Sequence, residues 1–285
     1  MRTAVVRHSS PFVRRGVEIA AAADIPVVFV HGLWLHADSW SNWADLFRGA
    51  GYEPSAPGWP GDGNTVEDTR REPDRVAGYG IDDVVRHHAQ IIETLDRKPI
   101  VIGHSFGGLI AQRLLGEGRA AAAVGIDAAP IKGVVRLPLS ALRVASVAVR
   151  NPANKKRAVS LTREQFRYGF GNAIPRAESD ELYDRWAIPS PGKPLFEAAF
   201  ANFALRSPAK VDTENASRGP LLLTAGGKDH TVPAAITRST SKLYRKSSAV
   251  TDFKEFPDRG HTLALDSGWR EVADSVLAWL KAHSL

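Results

Sequence analysis

The stretch Pro99-Ile100-Val101-Ile102-Gly103-His104-Ser105-Phe106-Gly107-Gly108-Leu109-Ile110 decides how this chain is read. Pro99 to Ile102 is apolar and β-branched, the composition of a strand buried on both faces. From Phe106 to about Leu115 the apolar residues recur at helical spacing, and the pattern ends near Gly116. One tight turn separates the two, with Ser105 at its apex. The flanking Gly103 and Gly107 read as steric necessity, because side chains there would collide across the turn. Ser105 is then held in a strained backbone conformation that lifts its hydroxyl above a sheet edge, over the positive end of a helix. The segment matches G-x-S-x-G, a pattern that carries information because of its strand–turn–helix setting.

Outward from this turn the same alternation repeats. Pro26 to Val30, Ala121 to Ile126 and Leu221 to Thr224 are further apolar runs, and Val250 to Phe256 is a more alternating one. Helical stripes lie between them: Trp40, Trp43 and Phe47; Ile81 through Leu95; Ile236, Leu243 and Tyr244 after Pro233; and Trp269 to Leu280. Strand and helix in repeated order predict an α/β fold, a mostly parallel central β-sheet flanked by helices. Thr3 to Ala23 reads as an antiparallel hairpin at the sheet edge. Leu137 to Asn215 shows no convincing buried strand. It carries helical fragments, breakers at Pro152, Pro175, Pro189, Pro191 and Pro194, a capping-box spacing at Thr162 and Gln165, and dense aromatics from Phe166 to Phe203. The expectation is a core of residues 1–136 and 216–285 interrupted by a helical cap at 137–215, whose aromatics mostly form the cap's own core while a minority line a pocket.

A serine hydroxyl needs a base to act as a nucleophile at neutral pH. Of nine histidines, His261 is best placed, in the loop Asp258–Thr262 between the last strand and the last helix. That loop opens on the same rim of the sheet as Ser105. His31 reads as a loop-bracing residue, and His87, His88 and His283 suit surface or packing roles. The base in turn needs an acid to fix its tautomer. Asp229, after the strand Leu221–Thr224, is the first choice, and Asp127, after the strand ending at Ile126, is the runner-up. Charge developing on a carbonyl oxygen calls for backbone donors; Phe106 N–H and Leu33 N–H, beside Gly32, are the candidates. Trp34 and Trp59 could wall a substrate pocket, with ordinary core packing as the equal alternative. His104, next to Ser105 but turned from its hydroxyl, is a further substrate-side candidate.

Composition narrows the classes. The absence of cysteine removes thiol chemistry, thiolate metal sites and disulfides. Beyond Ser105, Asp229 and His261 themselves, no cluster of His, Asp and Glu at ligand spacing suggests a metal site. The net charge of +6, from 37 basic and 31 acidic residues, is modest. Its densest basic run, Lys155 to Arg157, reads as a solvated face, not a nucleic-acid surface. The apolar stretch from Gly16 to Leu35 is broken by Glu18, Asp24 and Pro26, so no membrane span is expected and a cytoplasmic protein is the reading.

With these residues in place the chain resembles an α/β-hydrolase, and within that superfamily the capped carboxylesterase and lipase-like group. The resemblance is carried by His31-Gly32, Gly103 to Gly108, Gly227-Lys228-Asp229-His230 and Gly260-His261, in the order serine, acid, histidine. It implies a cofactor-free, two-step acyl transfer on a small-molecule ester. Ser105 would attack, His261 would move the proton, Asp229 would orient it, and water would release the acid. Haloalkane dehalogenases and epoxide hydrolases share the resemblance but place a carboxylate where this chain has Ser105. Lyases, perhydrolases and acyltransferases can share the serine set. A ligand receptor on a retained hydrolase fold is the alternative from a different class, separated from an enzyme by turnover.

Overall fold

A computed structural model describes residues 25–136 and 138–285; the hairpin expected at Thr3 to Ala23 lies outside the described residues. The strands are β1 (Ile25–Val30), β2 (Tyr52–Ser55), β3 (Ile100–His104), β4 (Ala122–Ile126), β5 (Ala158–Val159), β6 (Ser190–Pro191), β7 (Leu221–Gly226) and β8 (Thr251–Phe256). Six of them form one sheet in the order β2-β1-β3-β4-β7-β8, and every pairing in it is parallel. The helices are α1 (Ser41–Gly49), α2 (Val66–Arg71), α3 (Ile81–Glu93), α4 (Phe106–Gly116), α5 (Leu139–Val149), α6 (Arg163–Gly169), α7 (Arg176–Trp186), α8 (Lys193–Ala199), α9 (Ala234–Leu243) and α10 (Trp269–Ala282).

The apolar runs became the central strands because helices cover both faces of a parallel sheet. Residues of β3, β4 and β7 are buried throughout. α4 packs directly on β3 and β4. At one flank Phe29 of β1 stacks on Trp40 at 4.9 Å and meets Phe47 edge-on at 5.4 Å, while Trp43 packs edge-on against Trp40. Each such ring pair adds about 0.5–1.5 kcal/mol beyond area burial, so the cluster locks α1 onto β1. The strand β2 escaped the sequence reading: Tyr52-Glu53-Pro54-Ser55 is short, polar and contains proline. It pairs only with β1, and an edge position is where a strand tolerates proline.

Register brings the chemistry together. Val30 lies opposite Gly103, His104 opposite Ile126, Ile126 opposite Thr224, and Gly226 opposite Phe256. The carboxyl ends of β1, β3, β4, β7 and β8 therefore form one rim, the edge at which open α/β sheets place their ligands. The loops leaving that rim carry Gly32, Ser105, Asp127, Asp229 and His261. Between β4 and β7 the chain runs through α5 to α8 and, among the described residues, adds the two-residue antiparallel pair β5–β6 and a single antiparallel bridge from Ala187 to Leu35. Thr162 and Gln165 do form the reciprocal cap at the start of α6.

Candidate functional site

Ser105 sits between β3 and α4 with φ 55° and ψ −121°. The left-handed φ costs energy in a residue with a side chain. The turn is held by Ser105 N–H donating to the Ile126 carbonyl at 2.9 Å and by the Ser105 carbonyl accepting from Gly108 and Ala129 N–H, both at 2.9 Å. The glycines are obligatory: a Cβ on Gly103 would lie 2.0 Å from the Gly107 carbonyl oxygen, and one on Gly107 would lie 2.0 Å from that of Val30.

Five residues after the end of β8, His261 is fully buried. Its Nδ1 lies 2.6 Å from Asp229 Oδ2, and its Nε2 has no hydrogen-bond partner among the described residues. Asp229 is fixed by its other oxygen, which accepts from Thr231 N–H at 2.6 Å and Val232 N–H at 2.9 Å. Behind the ring, Arg259 and Thr262 both bond Asp266 and brace the loop.

Asp127 stands in the same buried space, with its own left-handed φ of 43°. Its Oδ1 accepts from Gly226 N–H at 2.6 Å, while Oδ2 is unpartnered and 3.8 Å from His261 Nδ1. Burial, and then the charge of the neighbouring Asp229, hold the Asp127 carboxyl well above the usual carboxylate range. Two carboxyl groups in one buried space disfavour each other's ionisation. Asp229 makes the shorter contact to His261 and has two backbone donors.

His104 packs its ring 4.5 Å from that of His261, and its Nε2 lies 2.9 Å from the His261 carbonyl. Burial, reinforced by His261, pushes its pKa well below the ordinary histidine value. His104 is therefore neutral, and Nε2 carries the hydrogen that bonds the carbonyl. His104, Asp127 and His261 each offer an atom within 4.8 Å of the others, a tighter cluster than the sequence, with no metal-ligand spacing, had implied. Because Asp229 holds His261 Nδ1, the cluster is organised around a carboxylate–imidazole pair.

A cavity of about 170 Å³ opens beside Ser105, lined by Trp34, Phe106, Leu142, Leu195, Val232 and Ile236 among others, nearly all apolar. Of the sequence candidates for a pocket wall, Trp34 lines this cavity. Trp59 and His104 do not: Trp59 donates its indole N–H to the His31 carbonyl at 3.1 Å, and His104 holds His261. His31 braces its loop, reaching the Gly32 carbonyl at 2.9 Å and Asp62 at 3.0 Å.

Sequence reasoning did not single out what the segment between β4 and β7 does here. Phe170 lies edge-on to His261 at 4.7 Å and to Trp34 at 6.2 Å. Thr231 Oγ1 donates to the Gly169 carbonyl at 2.8 Å, and Asn172 Nδ2 donates to the Lys228 carbonyl at 2.7 Å. On the other side Ser190 Oγ accepts from Trp34 N–H at 2.6 Å. Phe170 was one aromatic among many in sequence, and only its contact with His261 distinguishes it. Of the other aromatics, Phe166 is buried, whereas Phe200 and Phe203 are exposed and not in any core.

A profile described as the alpha/beta hydrolase family matches residues 27–275. The chain belongs to the alpha/beta hydrolase family. Solved structures agree on the fold of this alpha/beta hydrolase. A monoacylglycerol lipase from Paleococcus ferrophilus superposes with TM-score 0.65 at 23% identity, over 90% of this chain and 94% of that one. A thermophilic esterase from Thermogutta terrifontis gives 0.67 at 17% identity, over 92% and 91%. A methylesterase from Arabidopsis gives 0.62 at 17% identity, over 90% and 99%. A curated relative, a non-heme chloroperoxidase from Streptomyces lividans, is 34% identical over 110 residues, which is 37% of this chain and 37% of that protein. No helix among the described residues is long and apolar enough to cross a membrane.

Proposed function

We propose that this alpha/beta hydrolase is a serine esterase that cleaves carboxylic esters of small or medium apolar substrates through an acyl-enzyme. The observation that carries the reading is the buried 2.6 Å bond from Asp229 to His261 Nδ1, with Nε2 left unpartnered on the rim that also presents Ser105. Asp229 fixes the tautomer in which Nε2 is the basic nitrogen. His261 takes the Ser105 proton as the hydroxyl oxygen bonds to the ester carbonyl carbon. It then returns the proton to the departing alcohol. Water, deprotonated by His261, adds to the acyl-enzyme, and its collapse frees the carboxylic acid and Ser105.

Negative charge on the carbonyl oxygen is met by the Phe106 and Leu33 N–H groups. The close approach of Gly32 to Ser105 supports the second of these, since it carries the Leu33 amide to the serine. The apolar cavity receives the acyl group, with Trp34 in its wall. Residues 137–215 serve as a cap on a core of 1–136 and 216–285. Labelling with a fluorophosphonate, read by intact mass, tests the assignment: the parent chain gains one adduct and Ser105→Ala none. Equal labelling of both would overturn it. A nitrophenyl ester panel from acetate to palmitate should show turnover at the short and middle lengths; binding without sustained turnover would move the reading to a receptor.

The match to the Streptomyces lividans chloroperoxidase favours a second reading, perhydrolysis. Hydrogen peroxide would replace water in the last step and leave with the acyl group as a peracid. Peracid formation from an ester and peroxide, faster than hydrolysis, would select it.

A further inference from the structure

The chain's positive charge is not spread evenly. Residues 128–163 contain eight basic residues and no acidic one, and residues 198–211 contain two and none. The remainder holds 27 basic against 31 acidic residues and is net negative. Arg136, Arg143, Arg150, Arg206 and Lys210 are exposed. Among the described residues none of these five pairs with a carboxylate; Arg143 instead lies over the Tyr168 ring.

The same two stretches carry the exposed apolar side chains. Val135, Leu139, Leu142, Phe200, Phe203 and Leu205 are six of the seven exposed large hydrophobic residues among those described; Leu205 is 97% and Phe203 85% exposed. Scattered exposed apolar residues need no explanation, but a concentration of this kind does. Hydrogen bonds stitch the stretches together: Gly133 N–H donates to Asn202 Oδ1 at 2.7 Å, and Asn202 Nδ2 donates to the Val134 carbonyl at 2.8 Å. Leu142 from one stretch and Ala198 and Ala199 from the other line the cavity that holds Ser105. The apolar face is thus continuous with the cavity.

We propose that this face docks on an anionic lipid surface, its apolar side chains entering the acyl boundary and its arginines meeting the headgroups. Buried apolar area and attraction to anionic lipid act together in such docking. A second copy fits poorly, because a symmetric contact would set the acid-free face against itself. An acidic protein would meet the charge but gives no account of an apolar rim leading into an apolar cavity. The docking rests on the surface alone. Its consequence, that the ester reaches Ser105 from the lipid phase, rests on the esterase reading.

Flotation of the full chain with vesicles tests the docking. Phosphatidylcholine vesicles containing phosphatidylglycerol are expected to bind it at least about tenfold more than phosphatidylcholine alone, with loss at high salt. Arg136→Gln with Arg206→Gln should weaken binding by at least about tenfold. Phe203→Ser with Leu205→Ser should also release the protein, this time without changing the salt dependence. Ser105→Ala should float like the parent, and turnover of a water-soluble acetate ester should be unchanged in the surface variants. Equal recovery with both vesicle types, no flotation, or equal binding to polyglutamate would overturn the proposal. So would dimerisation in sedimentation that the Phe203/Leu205 variant abolishes. A parent chain that floats but turns over no ester would overturn the esterase reading and leave the docking standing.

Discussion

Gly32→Ala adds one methyl group at the point where two parts of the proposed machinery touch. An ideal Cβ there would lie 2.7 Å from Ser105 Cβ, 3.0 Å from the His104 carbonyl oxygen and 3.4 Å from Ser105 Oγ. Carbon atoms in contact prefer about 3.5–4.0 Å, so roughly 0.8 Å or more must be found. Ser105 Cβ is not the free end of a flexible chain. It is anchored to a backbone at φ 55° that β3, α4 and the Ile126 carbonyl over-determine. Gly32 itself has no left-handed φ, so alanine brings no conformational strain of its own and the effect is steric. Either the Ser105 hydroxyl or the loop carrying the Leu33 amide must shift. A displacement near 1 Å costs about a hundredfold in rate, and loss of one carbonyl-oxygen donor costs about 10²–10³.

The expected outcome is a fall in kcat of about 10²–10³ for a short nitrophenyl ester, and slower fluorophosphonate labelling. Overpacking should cost about 1–3 kcal/mol of stability, so the chain stays folded. Two further glycines calibrate the result. At Gly49, the last residue of α1, an added Cβ meets nothing within 4 Å, so Gly49→Ala should leave kcat unchanged. Gly107→Ala drives a methyl into the Val30 carbonyl at 2.0 Å and should abolish soluble folded protein. If Gly32→Ala folds, keeps its melting temperature and retains kcat within about threefold, the reasoning that Ser105 and the Leu33 amide form one site is refuted.

Asp229→Asn should lower kcat by about 10⁴ by favouring the wrong histidine tautomer, whereas Asp127→Asn should stay within about tenfold because Asp127 is already neutral. The reverse order in steady-state kinetics would exchange their roles. His88, fully buried on α3 with Nε2 unpartnered, has its pKa pushed down to about 3 by burial. The unfolded chain takes up that proton near pH 6.5, so stability from this residue is complete above that pH and is lost as pH falls toward 3. Between pH 7 and 5 the loss is about 2 kcal/mol, and His88→Leu should remove it in urea unfolding; parallel pH slopes for parent and variant would contradict this. Phe170→Ala should cut kcat about tenfold through a loosened His261 ring, with the ring contact at 4.7 Å as the cause. Unchanged kcat together with an unchanged pH–rate profile would show that the ring is packing only.

The central strands and most helices were legible because both faces of the sheet are covered, which writes burial into the sequence as continuous apolar runs. The strand β2 was not, since an edge strand with one partner needs no such run. The rim residues were legible for a different reason. Gly103 and Gly107 mark a turn that only glycine can make, and each later loop follows a readable strand. The pairing of His104 with His261 could not be read, because it joins positions 157 residues apart through a ring contact and one carbonyl. Phe200 and Phe203 are exposed, outside the core expected for most of these aromatics, because aromatic density alone does not say which side faces solvent.

These contacts also divide the segment between β4 and β7 into two kinds of structure. Its part from Gly169 to Ser190 is bonded to the carboxyl rim of the sheet at both ends: to the Asp229 loop through Thr231 and Asn172, and to the loop after β1 through Ser190 and the backbone bonds of Trp186 and Ile188. Moving it would break several buried or half-buried hydrogen bonds together and would unpack Phe170 from His261. Among the described residues the stretches 133–142 and 198–205 meet the rim without a hydrogen bond to it, and they hold most of the exposed large apolar residues. Movement that admits substrate is therefore cheapest there. The proposed lipid-docking face and the proposed entrance to Ser105 become the same surface, so on these proposals the positive charge of that face bears on which esters reach Ser105 and not on the chemistry at it.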